Sequence, residues 1–236
     1  MSAAVSSPVR RRALEVIRDH ADLAGRRVVD VGCGEGGLVR ALTGLGAEVV
    51  GVECGREMLE RARAAEPAGG ERYLEGVGQA LPLPDAAADV VVFMNSLHHV
   101  PVEHMAAALS EAARVLVPGG LALVNEPIAD GDFFQLTRLV EDEEDVRSAA
   151  YAAVRDAAAG GRFVERAEVV YLNPVRMESY EAFAQRMGLI DETRKARVAA
   201  GEELLRSRFH ELSEVRDGAH WFDQPARLNV LVRTGG

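Results

Sequence analysis

The chain has 236 residues, of which 48% are hydrophobic and 27% charged, and its formal net charge is −10. No apolar run approaches the roughly 20 residues that a membrane span needs, and an acidic surface disfavours nucleic acid, which binds clustered Lys and Arg. The triplet Arg10–Arg12 lacks the apolar run of a secretory signal. We therefore expect a single domain over residues 1–236 that is soluble, cytoplasmic and directed at a small-molecule partner, not at nucleic acid or a membrane.

Short apolar runs recur through the first half of the chain and are continuous, which is typical of strands buried on both faces of a parallel sheet. The predicted strands are Val28–Val31, Val49–Val52, Tyr73–Val77, Val90–Met94 and Leu121–Val124. Segments with helical spacing separate them, and a further helix is predicted over residues 8–23. The alternation predicts a doubly wound α/β domain with right-handed crossovers.

A glycine-rich turn, Gly32-Cys33-Gly34, follows the first predicted strand, and Asp30 lies two residues before it. Glycine at such a turn lets the backbone approach a ligand closely. A carboxylate at Asp30 suits a cationic ammonium or sulfonium group and would repel the pyrophosphate of NAD. Glu53 closes the second strand, where an acid can accept hydrogen bonds from both ribose hydroxyls of either kind of cofactor.

Other residues near these strand ends are candidates to line the same pocket. Met58, one turn into the next helix, is a candidate to lie beneath an adenine ring, although a helical methionine also suits a core position. Cys33 and Cys54 are interpreted as small pocket-lining residues, because no base is placed beside either one. Gly78 and Gln79, in the loop that leaves the third strand, are candidates to contact the edges of adenine.

The regular alternation ends at Pro127, and most aromatic residues follow it. Helices are predicted over Arg147–Ala159, Tyr180–Met187 and Arg194–Leu212, and strands over Val169–Asn173, Ala219–Phe222 and Leu228–Val232. The last two strands are predicted to form an antiparallel hairpin that turns at residues 223–225. The expected organisation is a cofactor-binding core (25–127), a substrate cap (128–216) and closing strands (217–236). The aromatic residues suit either the walls of a pocket or the core of such a cap.

Residues 25–127 resemble the class I S-adenosylmethionine-dependent methyltransferases, in particular the methyltransferase type 11 group. The resemblance rests on the glycine turn with Asp30, the strand-end Glu53, the loop Leu81–Asp85, the stretch Asn95–His99 and the segment Arg114–Gly120. It implies a Rossmann-like sheet of seven strands, mostly parallel with an antiparallel last strand, and a helical cap. It also implies S-adenosylmethionine as cofactor and S-adenosylhomocysteine as product.

The resemblance further implies a role for individual residues in this cofactor site. Asp30, Gly32, Gly34 and Asn95 would surround the methionine part of the cofactor, Glu53 would hold the ribose, and Gly78 and Gln79 would flank the adenine. Many relatives have an acid where this chain has Val77, and that acid can receive the adenine amino group. Adenine recognition here would therefore rest on backbone groups or on Gln79.

Two residues are candidates for the chemistry. His99 is a candidate base or substrate contact, and Glu126 ends the fifth strand where a substrate would enter; a structural role is the alternative for both. His98, Glu103 and His104 lie close to His99 in sequence, but the resembled family has histidine here without a metal, so no metal is predicted.

The expected reaction is an in-line transfer of a methyl group to an O, N or C nucleophile, in which the protein mainly positions the acceptor and excludes water. An NAD-type oxidoreductase and a non-catalytic cofactor-binding sensor or partner subunit remain as alternatives.

Overall fold

A computed structural model of the protein describes residues 8–189 and 191–235. These residues divide into two compact units. The larger unit comprises residues 13–126, 146–169 and the described chain from 227 onward, and the smaller comprises the described chain before 13 together with 127–145 and 170–226. All candidate cofactor and catalytic residues lie in the larger unit. None of the described helices is both long enough and apolar enough to span a membrane.

The fold alternates strands and helices, as the apolar runs predicted. The strands are β1 (Arg27–Val31), β2 (Glu48–Glu53), β3 (Arg72–Glu75), β4 (Ala88–Met94), β5 (Leu116–Pro127), β6 (Phe163–Met177), β7 (Glu214–Arg216) and β8 (Ala219–Arg233). The helices are α1 (Ala13–His20), α2 (Gly37–Gly44), α3 (Arg56–Ala64), α4 (Val102–Val115), α5 (Gly131–Thr137), α6 (Glu144–Ala159), α7 (Tyr180–Gly188), α8 (Glu192–Ala200) and α9 (Glu202–Leu212). A short 3₁₀ turn, Leu97–His99, joins β4 to α4.

The sheet confirms the predicted doubly wound, Rossmann-like α/β architecture. Its strand order is β3-β2-β1-β4-β5-β8-β6, and the contacts β3 to β2, β2 to β1, β1 to β4 and β4 to β5 are all parallel. Val31 at the end of β1 is level with Val52 on β2 and with Phe93 on β4. The carboxyl ends of these three strands therefore meet at one edge, where open α/β sheets bind their ligands.

Two predictions about the closing strands were wrong. The described sheet has eight strands and not seven, because β7 pairs with β8 in an antiparallel hairpin at the turn Asp217-Gly218. The hairpin predicted at residues 223–225 is a continuous part of β8. Pro225 has no N–H to donate, but the side-chain amide of Gln224 donates to the carbonyl of Ile128 at 2.8 Å. A side chain thus replaces a main-chain donor, and the strand continues through the proline.

The helices also differ from the prediction in their bounds. The segment predicted as one helix over 194–212 is two helices, α8 and α9, which are divided at Gly201. Helix α5 was not predicted; it begins after Asp130, whose carboxylate accepts the N–H of Gly131 at 2.8 Å. The helix predicted over residues 8–23 is limited to α1.

Each unit has its own hydrophobic core. In the larger unit, residues of β1, β2, β4 and β5 pack against apolar residues of α4 and α6. In the smaller unit, aromatic side chains dominate, and Phe183 and Phe209 are fully buried with ring centroids 5.8 Å apart. The sequence allowed the aromatic residues of the expected cap to be either pocket walls or core residues. These two are core residues.

Candidate functional site

The buried carboxylate of Asp30 lies just before the end of β1. Asp30 is 1% exposed, and its Oδ1 atom has no hydrogen-bond partner in the described part of the chain. Burial raises the pKa of Asp30 to about 7, and the negative charge of Glu53 adds to the shift. A buried acceptor without a partner is costly to a folded protein, so this atom is suited to receive a donor or a positive charge from a ligand.

The glycine turn after β1 adopts a backbone that only glycine takes easily. Gly32, Gly34 and Gly36 have φ values of 73°, 54° and 75°. A Cβ on Gly32 would lie 2.7 Å from the Cβ of Ser96, closer than real side chains approach. The N–H groups of Gly32 and Cys33 both donate to the carbonyl of Val52, at 2.8 and 3.1 Å, which ties the turn to the end of β2.

Glu53 joins two loops at the end of β2. Its Oε2 atom accepts the N–H of Gly34 at 2.8 Å, and its Oε1 atom accepts the N–H of Gly55 at 2.7 Å. Each carboxylate oxygen can accept a further hydrogen bond, so a pair of ribose hydroxyls can bind without displacing either amide. Met58 lies beside this loop, since a Cβ on Gly55 would be 3.7 Å from Met58 Cγ.

Neither cysteine at this edge is suited to be a nucleophile. Cys33 is buried, and burial raises the pKa of its thiol to about 12. Cys54 is exposed, yet partial desolvation and the nearby Glu53 raise the pKa of its thiol as well. Both side chains are therefore thiols at neutral pH, which disfavours a covalent mechanism through either one.

Gly78 and Gln79 are the central residues of a tight turn. The turn closes with a hydrogen bond from the Ala80 N–H to the Val77 carbonyl at 3.1 Å. A Cβ on Gly78 would lie 3.4 Å from Val31 Cγ1, so the turn packs against the end of β1. The side chain of Gln79 is partly exposed there.

The segment from Asn95 to His99 leaves β4 at the same edge of the sheet. Asn95 has a φ of 53°, unusual for a residue other than glycine, and its N–H donates to the carbonyl of Asn125 at 2.8 Å. His99 is exposed, and its ring centroid is 4.0 Å from that of His98. Glu126 is largely buried, and its carboxylate contacts this segment at the N–H groups of Ser96 and Leu97 and at Nδ1 of His98.

The structure thus brings the candidate cofactor residues to one edge of the sheet. They are Asp30, Gly32, Cys33, Gly34, Glu53, Cys54, Met58, Gly78, Gln79 and Asn95. Sequence reasoning did not single out Ser96, which packs against Gly32, or Gly55, which donates to Glu53. Ser96 could have been suspected only from its position directly after the strand-end Asn95.

Glu53→Ala is expected to weaken the binding of S-adenosylhomocysteine by about 10- to 100-fold, because two amides and the ligand hydroxyls lose one shared charged acceptor. Glu75, exposed at the end of the neighbouring β3, is a matched control, and Glu75→Ala should bind normally. Calorimetric titration of both variants measures the difference. Equal affinities would remove Glu53 from the site.

Sequence comparison identifies a known domain within the chain. Residues 29–124 match the family described as "Methyltransferase domain". The ubiquinone biosynthesis O-methyltransferase of Nitrosococcus oceani is 40% identical over 110 residues, 45% of this chain and 46% of that protein. The 27-O-demethylrifamycin SV methyltransferase of Amycolatopsis mediterranei is 36% identical over 140 residues, 56% of this chain and 48% of that protein. The chain therefore spans about half the length of the curated relatives it matches.

Solved structures share the fold over nearly the whole chain. The YcgJ protein of Bacillus subtilis superposes with a TM-score of 0.63 at 21% identity, and the match covers 94% of this chain and 98% of that one. A SAM-dependent methyltransferase of Methanosarcina mazei has a TM-score of 0.61 at 14% identity, covering 96% and 100%.

Proposed function

We propose, from the match of residues 29–124 to a methyltransferase domain, that this chain transfers a methyl group from S-adenosylmethionine to a small molecule. The observation that carries the proposal is the unpartnered Oδ1 atom of Asp30 beside the glycine turn. A buried carboxyl group without a partner at the carboxyl edge of a parallel sheet favours a ligand that brings a positive charge, because that charge stabilises the ionised form that burial disfavours.

The residues at this edge fit S-adenosylmethionine. In the proposed complex, Asp30 binds the ammonium of the methionine part, and the glycine turn leaves room that a Cβ would fill. Glu53 accepts the ribose hydroxyls, while Gly78 and Gln79 flank the adenine. The exposed side of Asn95 faces the methionine part. NAD shares only the glycine turn and the ribose contact, and Asp30 would repel its pyrophosphate.

The main contribution of the protein to this reaction is to position the reactants. The bound sulfonium supplies an activated methyl group, and the chain excludes water and orients the acceptor. We propose His99, which is exposed at the end of the 3₁₀ turn, as a substrate contact or base. The acceptor would be bound by residues 128–216, and the names of both curated relatives make an oxygen acceptor the first class to test.

Cofactor binding is expected to strengthen as pH rises and then to level off. Burial raises the pKa of Asp30 to about 7, so below that pH the ligand-free site holds a proton that must leave before Asp30 can pair with the ligand ammonium. Affinity for S-adenosylhomocysteine should rise by about tenfold from pH 6 to pH 8. Calorimetry in two buffers of different ionisation enthalpy should detect close to one proton released near pH 6. A flat profile with no released proton would contradict the assigned role of Asp30.

The proposed transfer can be tested before the acceptor is known. The protein is incubated with S-adenosylmethionine carrying a labelled methyl group and with the small-molecule fraction of a cell extract, and Asp30→Asn serves as the control. Label should appear in one or a few extracted compounds with the wild-type chain and be strongly reduced with the variant. Binding of the cofactor without transfer to any compound would favour the sensor or partner-subunit alternative.

A further inference from the structure

The carboxylate of Glu126 is engaged on both of its oxygens. Oε1 accepts the N–H groups of Ser96 and Leu97, at 3.1 and 2.8 Å, and Oε2 contacts Nδ1 of His98. The side chain of Glu126 is 13% exposed and that of His98 is 3% exposed. Three successive residues after β4 are therefore held by one acid at the end of β5.

The first of these residues supports the cofactor turn directly. Ser96 Oγ donates to the carbonyl of Val31 at 2.6 Å, and Ser96 Cβ fills the space where a Cβ on Gly32 would lie. Ser96 is only 8% exposed, so it is fixed by its surroundings on both sides. An unbroken series of contacts thus runs from Glu126 through Ser96 to the turn that carries Gly32.

The backbone at Asn95 explains why such a restraint is needed. Its φ of 53° is in the left-handed region, which is unfavourable for residues other than glycine, although less so for asparagine than for most, and which surrounding contacts stabilise. Asn125 holds Asn95 from one side, and Glu126 holds the two residues that follow. Without the Glu126 carboxylate, the segment can relax and withdraw Ser96 from Gly32.

We propose that Glu126 is a positioning residue that, through Ser96, keeps the glycine turn in its cofactor-binding geometry. His98 is the side-chain partner of Glu126 in this role. Glu126 takes no proton from the substrate. The inference rests on the proposed function, because it concerns the same cofactor site. Glu126 was a candidate for the chemistry because of its position at the end of β5. The inference assigns it instead a role in binding the cofactor.

The test is the affinity of Glu126 variants for S-adenosylhomocysteine, measured by calorimetry on the full chain. Glu126→Ala should weaken binding by about tenfold or more. Glu126→Gln should remain within about threefold of wild type, because its amide oxygen can accept the Ser96 and Leu97 N–H groups and its NH₂ can donate to His98 Nδ1 in the tautomer that carries the ring proton on Nε2. Glu75→Ala, which removes an equal charge from the same sheet edge, should have no effect.

A double-mutant cycle tests the route through Ser96. Ser96→Ala should weaken binding in the wild-type chain and should cost much less in the Glu126→Ala chain, since the contact is already lost there. If Glu126→Ala does not fold, the same cycle is run with His98→Ala, which removes the contact of Nδ1 with Oε2 and should weaken binding in the same direction.

Several results would overturn the inference. They are unchanged affinity in Glu126→Ala, equal losses in Glu126→Gln and Glu126→Ala, or fully additive effects of the Ser96 and Glu126 substitutions. Loss of methyl transfer in Glu126→Gln with unchanged affinity would instead identify a base. Failure of the wild-type chain to bind S-adenosylhomocysteine would refute the proposed function itself, so the two failures are distinguishable.

Discussion

Asp30→Asn is expected to weaken the binding of S-adenosylhomocysteine by about 10- to 100-fold and, without ligand, to make the chain more stable above neutral pH. The loss of affinity follows from removing the negative charge that faces the ligand ammonium. The gain in stability follows from the burial of Asp30, whose Oδ1 atom has no partner in the described residues.

The direction of the stability effect follows from the raised pKa. Burial moves the pKa of Asp30 from an ordinary 3.8 to about 7, so between these values the folded chain holds a proton that the unfolded chain has released. The contribution of this group to the free energy of unfolding is therefore lost as pH rises from about 4 to 7. An asparagine does not ionise, so the advantage of the variant should grow by on the order of 3 kcal/mol between about pH 4 and pH 8.

Chemical denaturation at several pH values measures this difference in the free energy of unfolding. Asp89 provides a control, because its pKa is shifted in the opposite direction. Asp89 accepts hydrogen bonds from the side chain and N–H of Arg27, and that side-chain hydrogen bond is the main cause of its lowered pKa. Asp89→Asn should therefore destabilise the chain at neutral pH, and this loss should diminish in acid. If Asp30→Asn is less stable than wild type at pH 8, other groups of the folded chain must stabilise the Asp30 carboxylate, and the prediction is wrong.

Gly32→Ala is expected to abolish measurable cofactor binding and to lower the free energy of unfolding by about 2–4 kcal/mol. Two costs combine at this position. The φ of 73° is unfavourable for alanine, and the new Cβ would lie 2.7 Å from the Cβ of Ser96, which its hydrogen bond to Val31 prevents from moving away.

Two neighbouring glycines separate these costs. Gly34 has a φ of 54° but open space around its Cβ position, so Gly34→Ala should lose only about 1 kcal/mol of stability. Gly37 begins α2 with neither a positive φ nor a neighbour within 4 Å, so Gly37→Ala should be as stable as wild type or slightly more stable. Equal stability of the Gly32 and Gly37 variants would contradict the assigned backbone geometry.

The parts of the site that depend on adjacent residues could be predicted from the sequence. Asp30, the glycine turn and Glu53 lie at the ends of apolar runs, and a parallel sheet must bring those ends together. The support beneath the turn could not be predicted, because Ser96 is 65 residues from Val31 and Glu126 is 30 residues from Ser96. Such contacts follow from side-chain packing, which apolar periodicity does not encode.

The same distinction explains the error in the closing strands. Asp223-Gln224-Pro225 has the composition of a turn, and local reasoning placed a hairpin there. The side chain of Gln224 donates to the carbonyl of Ile128, 96 residues away, and supports a continuous strand. The true hairpin at Asp217-Gly218 follows the usual preference for glycine at positive φ, but its strand β7 has only three residues and shows no clear alternation.

We propose above all that this sheet edge binds S-adenosylmethionine. The most direct test is a calorimetric titration of S-adenosylhomocysteine into the purified chain near pH 8. NAD is titrated in parallel. Saturable binding of S-adenosylhomocysteine with no binding of NAD is the predicted result. Binding of NAD alone, or of neither ligand at millimolar concentration, would contradict the assignment of Asp30 and Glu53 to this cofactor.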